Sequence, residues 1–353
     1  MNSVFTKKLL NWNRLHNTRE MPWKGEKDPY RIWLSEIILQ QTRVEQGLSY
    51  YNKFILQYPS VHDLANAPEQ EVFKLWEGLG YYSRCKNLIA SAKMISVELK
   101  GRFPENYDAV RALKGVGPYT AAAITSFAYN LPYAVVDGNV LRVMARYFGI
   151  TAPIDSTEGK KLYNSLASSL LEPKHPAKFN QAIMDFGAVI CKAQLPQCDI
   201  CVQQQDCQAY RYNLVKQLPV KEKSLVKKTR WFCYFIIEHN DHYYIRKRSS
   251  GDIWENLYEF VLKESGKELT GDPVSLTSTL QSIVGPGTYV IGNVSEVYRQ
   301  QLTHQTIIGR FIRVSVGQPI CLEPQYEAVS KANLVKFPFP KIISTWLARN
   351  EFL

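Results

Sequence analysis

Four of the seven cysteines in this 353-residue chain stand in one short run, Cys191-x6-Cys198-x2-Cys201-x5-Cys207, which dictates a loop wrapped around a bound group before any helix or strand is considered. Cys85, Cys233 and Cys321 are scattered elsewhere. A zinc ribbon would offer two separate Cys-x2-Cys knuckles, and only one, Cys198 with Cys201, is present. Four closely spaced thiolates therefore favour a [4Fe-4S] cluster over a structural zinc ion. Disulfides rank last, because the amino terminus has a Lys7-Lys8 pair followed by a mixed polar stretch, without the apolar core and cleavage site of a secretory signal. A cytoplasmic protein is the expectation.

The length accommodates two domains, each with its own core. Apolar runs such as Ile37-Ile38-Leu39 and Phe235-Ile236-Ile237 fall far short of the roughly 20 residues of a membrane-spanning helix. The formal charge of +11 and the isoelectric point near 9.2 attract polyanions, nucleic acid being the commonest.

To about residue 215 the apolar spacing is helical, as in Glu71 to Glu77, Leu88 to Leu99 and Thr120 to Tyr129. Residues 216–230 carry six Lys or Arg against one Glu and read as an exposed basic linker. Beyond it the period changes to two. Trp231 to Glu238, a turn at Asn240-Asp241, and His242 to Lys247 predict a β-hairpin; Gln305 to Val316 predicts a further strand, and Lys341 to Arg349 a closing helix. The expected organisation is a mainly α unit over 1–215, the linker 216–230, and a smaller α+β unit over 231–353.

Three segments of the first unit carry chemistry. Leu113-Lys114-Gly115-Val116-Gly117-Pro118 breaks the helical pattern with two glycines that expose amide N–H groups, ahead of a helix whose positive end favours a phosphate. A plain turn between helices would use Gly and Pro in the same way. About twenty residues on, Asp137 precedes Gly138 and Asn139, placed either to cap a helix or to present a carboxylate. Asp28 to Arg43 predicts a helix with Glu36 among Ile32, Trp33 and Leu39. Desolvation there would hold the proton of Glu36 toward neutrality, as a general acid requires; the alternative is an edge glutamate paired with Arg31 or Arg43.

The order of hairpin, aspartate and cysteine loop resembles the helix-hairpin-helix superfamily of DNA glycosylases. The strings Trp33-Leu-Ser-Glu36-Ile-Ile-Leu-Gln-Gln41-Thr, Gly78-Leu-Gly-Tyr81-Tyr-Ser-Arg84, Val136-Asp-Gly-Asn139 and Phe179-Asn-Gln181 closely resemble adenine DNA glycosylases of the MutY type. The likeness runs in order from about Leu15 to Cys207 and continues more weakly beyond. It implies a mainly α N-terminal helix-hairpin-helix glycosylase fold with an iron-sulfur cluster loop (191–207), plus a smaller α+β Nudix-like C-terminal domain.

By this resemblance Glu36 protonates N7 of a flipped adenine and then helps deliver water, Asp137 stabilises the charge growing on C1′, and Tyr119 and Asn139 support them. Gln41 and Tyr81 wedge into the duplex, Gly115 and Gly117 meet its backbone, and Trp23, Lys24 and Gln181 line the adenine pocket. Cys191, Cys198, Cys201 and Cys207 hold the [4Fe-4S] cluster. Strand-cutting relatives carry a lysine where this chain has Tyr119, and a phenol forms no imine, so base excision without efficient strand cleavage is expected. Neither Lys114 nor Lys24 holds the matching position.

In the second unit Trp254-Glu-Asn-Leu-Tyr-Glu-Phe260 is the most recognisable piece, and the Arg-Glu-x-x-Glu-Glu helix of a nucleotide-diphosphate hydrolase is missing between Val261 and Leu280. Where the family places Phe-Ser-His against 8-oxoguanine, this chain has Leu302-Thr303-His304. Thr303 keeps a hydroxyl and His304 a ring, but Leu302 cannot stack as an aromatic would. The implied partner is double-stranded DNA with A:8-oxoguanine or A:G mispairs, bound by a monomer. Two other functions compete: a bifunctional pyrimidine-lesion glycosylase of the endonuclease-III type, which calls for lysine at Tyr119, and a non-catalytic damage-binding protein, which needs neither Glu36 nor Asp137.

Overall fold

The computed structural model describes residues 3–222, 227–266, 273–285, 288–350 and 352. Among them lie fourteen α-helices: α1 (Val4–Leu15), α2 (Pro29–Leu39), α3 (Val44–Gln57), α4 (Val61–Asn66), α5 (Glu69–Leu75), α6 (Tyr82–Lys93), α7 (Tyr107–Arg111), α8 (Pro118–Tyr129), α9 (Gly138–Phe148), α10 (Thr157–Leu170), α11 (Pro176–Val189), α12 (Gln208–Arg211), α13 (Pro273–Val284) and α14 (Lys341–Arg349). The seven strands are β1 (Lys228–His239), β2 (His242–Lys247), β3 (Tyr258–Ser265), β4 (Tyr289–Val294), β5 (Tyr298–Gln301), β6 (Gln305–Val316) and β7 (Tyr326–Ser330). The chain divides into two compact units, residues 1–66 with 87–224, and residues 67–86 with 225–353. The division falls inside α6, so a stretch of the helical sequence belongs with the sheet. Among the described residues no helix is long and apolar enough to cross a membrane.

The first unit is helical. Phe5, Leu9 and Trp12 of α1 share one buried cluster with Val143 and Met144 of α9, Tyr163 of α10, and Phe179, Ile183 and Phe186 of α11. Trp12 meets Phe186 edge-on at 5.0 Å between ring centroids, an arrangement the aromatic quadrupole favours. Helix α2 is shorter than its sequence predicts. It stops at Leu39 because Gln40 turns extended (ψ 113°) and Gln41 takes φ +55°, and a new helix begins at Val44. The helical stretch from Leu88 likewise passes from α6 into a π turn, Met94–Glu98.

The second unit is a mixed sheet in the order β4-β6-β1-β3-β2-β7, with β5 also on β6. Strands β1 and β6 run parallel from Lys228 opposite Gln305 to Glu238 opposite Ser315, and the other pairings are antiparallel. The expected β1–β2 hairpin forms, turning at Asn240 and Asp241 with φ +48° and +59°, the left-handed pair such a two-residue turn needs. The basic linker ends earlier than its composition suggests, since its last three residues already belong to β1.

The period of two has a particular meaning in β1, where Phe232 to Ile237 are all buried. Cys233, Phe235 and Ile237 share a core with Leu276 and Leu280 of α13. Tyr234 stacks on Phe311, which stacks on Trp346 of α14. A strand covered on both faces reads as a continuous apolar run, and its alternation sorts side chains between two helices.

Candidate active site

Asp28 opens α2 by accepting from Tyr30 N–H at 2.9 Å, and Pro29 supplies the fixed first-turn geometry. Two turns on, Glu36 enters a cavity of about 520 Å³. Its walls include Trp23, Lys24, Ile32, Leu39, Tyr119, Asp137, Asn139 and Gln181. The residues that the resemblance assigned to acid, charge stabiliser and base pocket thus share one cavity. The edge-glutamate alternative fails for Arg31, which pairs with Glu26 at 3.5 Å and Asp28 at 3.7 Å.

Burial pushes the Glu36 carboxyl up to about 7; the hydrogen bond from Tyr119 opposes this, and the charge of Asp137 adds to it. The Tyr119 phenol is itself held well above its ordinary range, by burial first and then by the two carboxylates. Tyr119 reaches Glu36 because Pro118 starts α8 at that point, after Gly115 at φ +77° has turned the chain. A Cβ on Gly115 would stand 2.8 Å from Cβ of Asn87, so glycine serves both the turn and the close approach.

Asp137 caps α9 and faces the cavity at once, so its two sequence readings are compatible. One carboxyl oxygen accepts from Val140 N–H at 2.7 Å, and the other from Asn139 Nδ2 at 2.7 Å. Burial pushes this group upward as well, while the N–H groups of Val140 and Asn139 and the charge of Arg142 pull it down. Donors separate the two carboxyls: one hydrogen bond supports Glu36, and a helix end with an amide and a guanidinium supports Asp137.

Sequence reasoning passed over four residues that build this site. Arg142 donates to Asn139 Oδ1 at 2.8 Å, to Gly187 carbonyl at 2.7 Å and, through Nε, to Cys191 carbonyl at 2.7 Å. It ties the Asp137 support to the cysteine loop. A Cβ on Gly187 would lie 2.7 Å from Cβ of Asn139, so α11 can approach α9 only with glycine there. The others are Arg19 and Asp185, joined at 2.8 Å beside Lys24. The available signal was helical spacing: Arg142 follows Asn139 by three residues, and Asp185 follows Gln181 by four.

The four cysteines line one small pocket of about 30 Å³ with Arg146, Tyr210 and Val215. Arg146, buried one turn beyond Arg142, donates to the carbonyls of Lys192 (2.7 Å), Ala193 (3.3 Å) and Leu218 (3.0 Å) and to Cys191 Sγ at 3.5 Å. Among the described residues no group of three or more His, Cys, Asp or Glu side chains is placed to hold a metal ion.

Gln41 is exposed at φ +55°, and Tyr81, 43% exposed, has φ +46°. Left-handed backbone is uncommon outside glycine, and both wedge candidates have it. Within the second unit Tyr81 hydroxyl is hydrogen-bonded to Thr303, and both line a groove of about 470 Å³ with Trp254, Leu302 and His304. The His304 side chain is exposed, and its carbonyl accepts from Lys228 N–H at 3.0 Å.

Residues 34–168 match the family described as HhH-GPD superfamily base excision DNA repair protein, so the helical fold and its two-carboxylate cavity define a DNA N-glycosylase. The adenine DNA glycosylase of Buchnera aphidicola subsp. Acyrthosiphon pisum is 38% identical over 261 residues, 73% of each chain. Among solved structures, a thermostable thymine-DNA glycosylase superposes with a TM-score of 0.55 at 32% identity, over 59% of this chain and 96% of that one. Endonuclease III trapped covalently on DNA shares the fold, with a TM-score of 0.52 at 20% identity over 59% of this chain and 95% of that one. The chain belongs to the adenine DNA glycosylase family.

Proposed function

We propose that the protein removes adenine mispaired with 8-oxoguanine or guanine in double-stranded DNA, as a monofunctional enzyme acting as a monomer. The observation that carries this reading is Glu36, a buried carboxyl raised to about 7, sharing its cavity with a donor-supported Asp137. With the nucleotide rotated out of the stack, Glu36 gives its proton to N7 of adenine. The N9–C1′ bond breaks and its electron pair leaves with the base. Asp137 stabilises the cation on the sugar, and water adds to C1′ while the Glu36 carboxylate takes the water proton. Asn139 and Arg142 keep Asp137 oriented, and Tyr119 positions Glu36 without forming an imine.

Gln41 and Tyr81 serve as wedges, and their exposure and left-handed backbone support that role. Gly115 and Gly117 bring the hairpin amides toward a phosphate. Trp23, Lys24 and Gln181 form the base pocket. Residues from about 231 act as a Nudix-like reader of the opposite base, with Thr303 and His304 toward it, and the groove around Tyr81 and Thr303 supports this.

The donor set at Cys191, Cys198, Cys201 and Cys207 suits a [4Fe-4S] cluster. It is all sulfur, and the four thiols line one pocket, a soft donor set of the kind iron-sulfur centres take. Such a cluster would brace the loop, and broad visible absorption of the purified protein would identify it.

The test is an end-labelled duplex carrying A:8-oxoguanine, incubated and then heated in alkali. Cleavage only after alkali is expected. No abasic site under any condition overturns the proposal. Cleavage before alkali, or high-yield borohydride trapping, favours the bifunctional reading.

A further inference from the structure

Asp185 lies on α11 with its side chain fully buried, and nothing in the chemistry above uses it. Four side chains meet it. One oxygen accepts from Arg19 Nη1 at 2.8 Å and from Gln181 Nε2 at 3.0 Å; the other accepts from Asn17 Nδ2 at 2.8 Å and lies 3.1 Å from Lys24 Nζ. Lys24 also donates to the Arg19 carbonyl at 2.6 Å. Arg19, Lys24 and Gln181 all line the cavity that holds Glu36 and Asp137.

The consequence concerns the Gln181 amide. Its two ends differ, one donating and one accepting, and only the NH₂ end can face a carboxylate. Asp185 holds that end, so Gln181 Oε1, which has no hydrogen-bond partner among the described residues, is left as an acceptor on the cavity wall. Were the amide reversed, carbonyl would oppose carboxylate in a buried setting. Arg19 and Lys24 flank the same carboxylate, at 2.8 and 3.1 Å, and fix its position beside the Gln181 amide.

We infer that Asp185 is a positioning residue for base specificity: by locking Gln181 as an acceptor it selects a purine with an amine at C6 over one with a carbonyl. Adenine offers N6–H to Oε1, whereas a 6-oxopurine brings a second acceptor and leaves both unpaired. Sites built around one buried donor–acceptor match discriminate strongly against the analogue that lacks it. The inference rests on the proposed reaction, since it assigns the cavity to the flipped base.

The experiment compares single-turnover release of adenine and of hypoxanthine, each opposite 8-oxoguanine in the same duplex, by the holoenzyme. In Asp185→Asn the residue at 185 can turn either end toward Gln181, and the preference for adenine should shrink by about tenfold or more. Adding Gln181→Glu, whose oxygens both accept, should restore the preference in the Asp185→Asn background, which general loosening of the fold would not do. A folded Asp185→Asn enzyme with the wild-type ratio overturns the inference. If that variant fails to fold, Gln181→Met in the otherwise intact protein decides it: a reduced preference supports the assignment, and an unchanged one overturns it. Failure of wild-type protein to release adenine would instead overturn the proposed function.

Discussion

Glu36 is badly placed for stability, and the proposed role depends on that. Its folded pKa of about 7 exceeds its ordinary value of 4.5, so the folded chain binds a proton more tightly than the unfolded one. The resulting stabilisation is complete below about pH 4.5 and is lost as pH rises through about 7, where a bare charge must sit in the core. Glu36→Gln removes that titration. The variant should match wild type in acid and exceed it above neutrality by at most about 3 kcal/mol, the size of the shift in free energy. Thermal melts of both proteins at several pH values check this. A pH-independent difference between the two would show that burial of the charge is not the cost.

Among the elements, α9 does most to unite the site: its cap is Asp137, and its inward arginines, one turn apart, hold the cysteine loop. Arg142→Ala should lower adenine release by roughly ten- to a hundredfold, the worth of one or two charge-assisted hydrogen bonds to the Asn139–Asp137 pair and the loop. Single-turnover rates, with visible absorption as a control for the loop, would measure it. In the hairpin, Gly115→Ala meets both a left-handed backbone and Asn87, and should cost about 1–3 kcal/mol in a denaturant titration.

The hairpin, the cap and the buried acid were legible because each depends on neighbours in sequence: glycine with proline, aspartate before a helix, glutamate among large apolar residues. Arg142, Asp185 and Gly187 were not, since their roles come from helices meeting across long separations, where one arginine on an amphipathic face looks like any other. The end of α2 was missed because Gln40 and Gln41 are good helix formers, so their propensity gives no sign of the turn they make. In β1 the alternation was visible, but burial on both faces depended on two helices far along the chain.

At the scale of the whole molecule, the charge of +11 sets how DNA is found. Affinity for mispaired and matched duplexes alike should fall steeply as salt rises, by about a thousandfold between roughly 50 and 200 mM if six phosphates are engaged, with the ratio of the two affinities changing little. Fluorescence anisotropy titrations would show it; a mispair preference that vanished with salt would place recognition in the phosphates.

The central claim joins the scales: a proton held in the core of one unit is spent on a base taken from a long polyanion. The most direct measurement is the single-turnover rate of adenine release from an A:8-oxoguanine duplex across about pH 5 to 9, for wild type and Glu36→Gln. The account predicts that the wild-type rate falls about tenfold per pH unit above about 7 and that the variant releases no adenine at any pH. A variant rate equal to wild type, or a wild-type rate that climbs through neutrality, would contradict it.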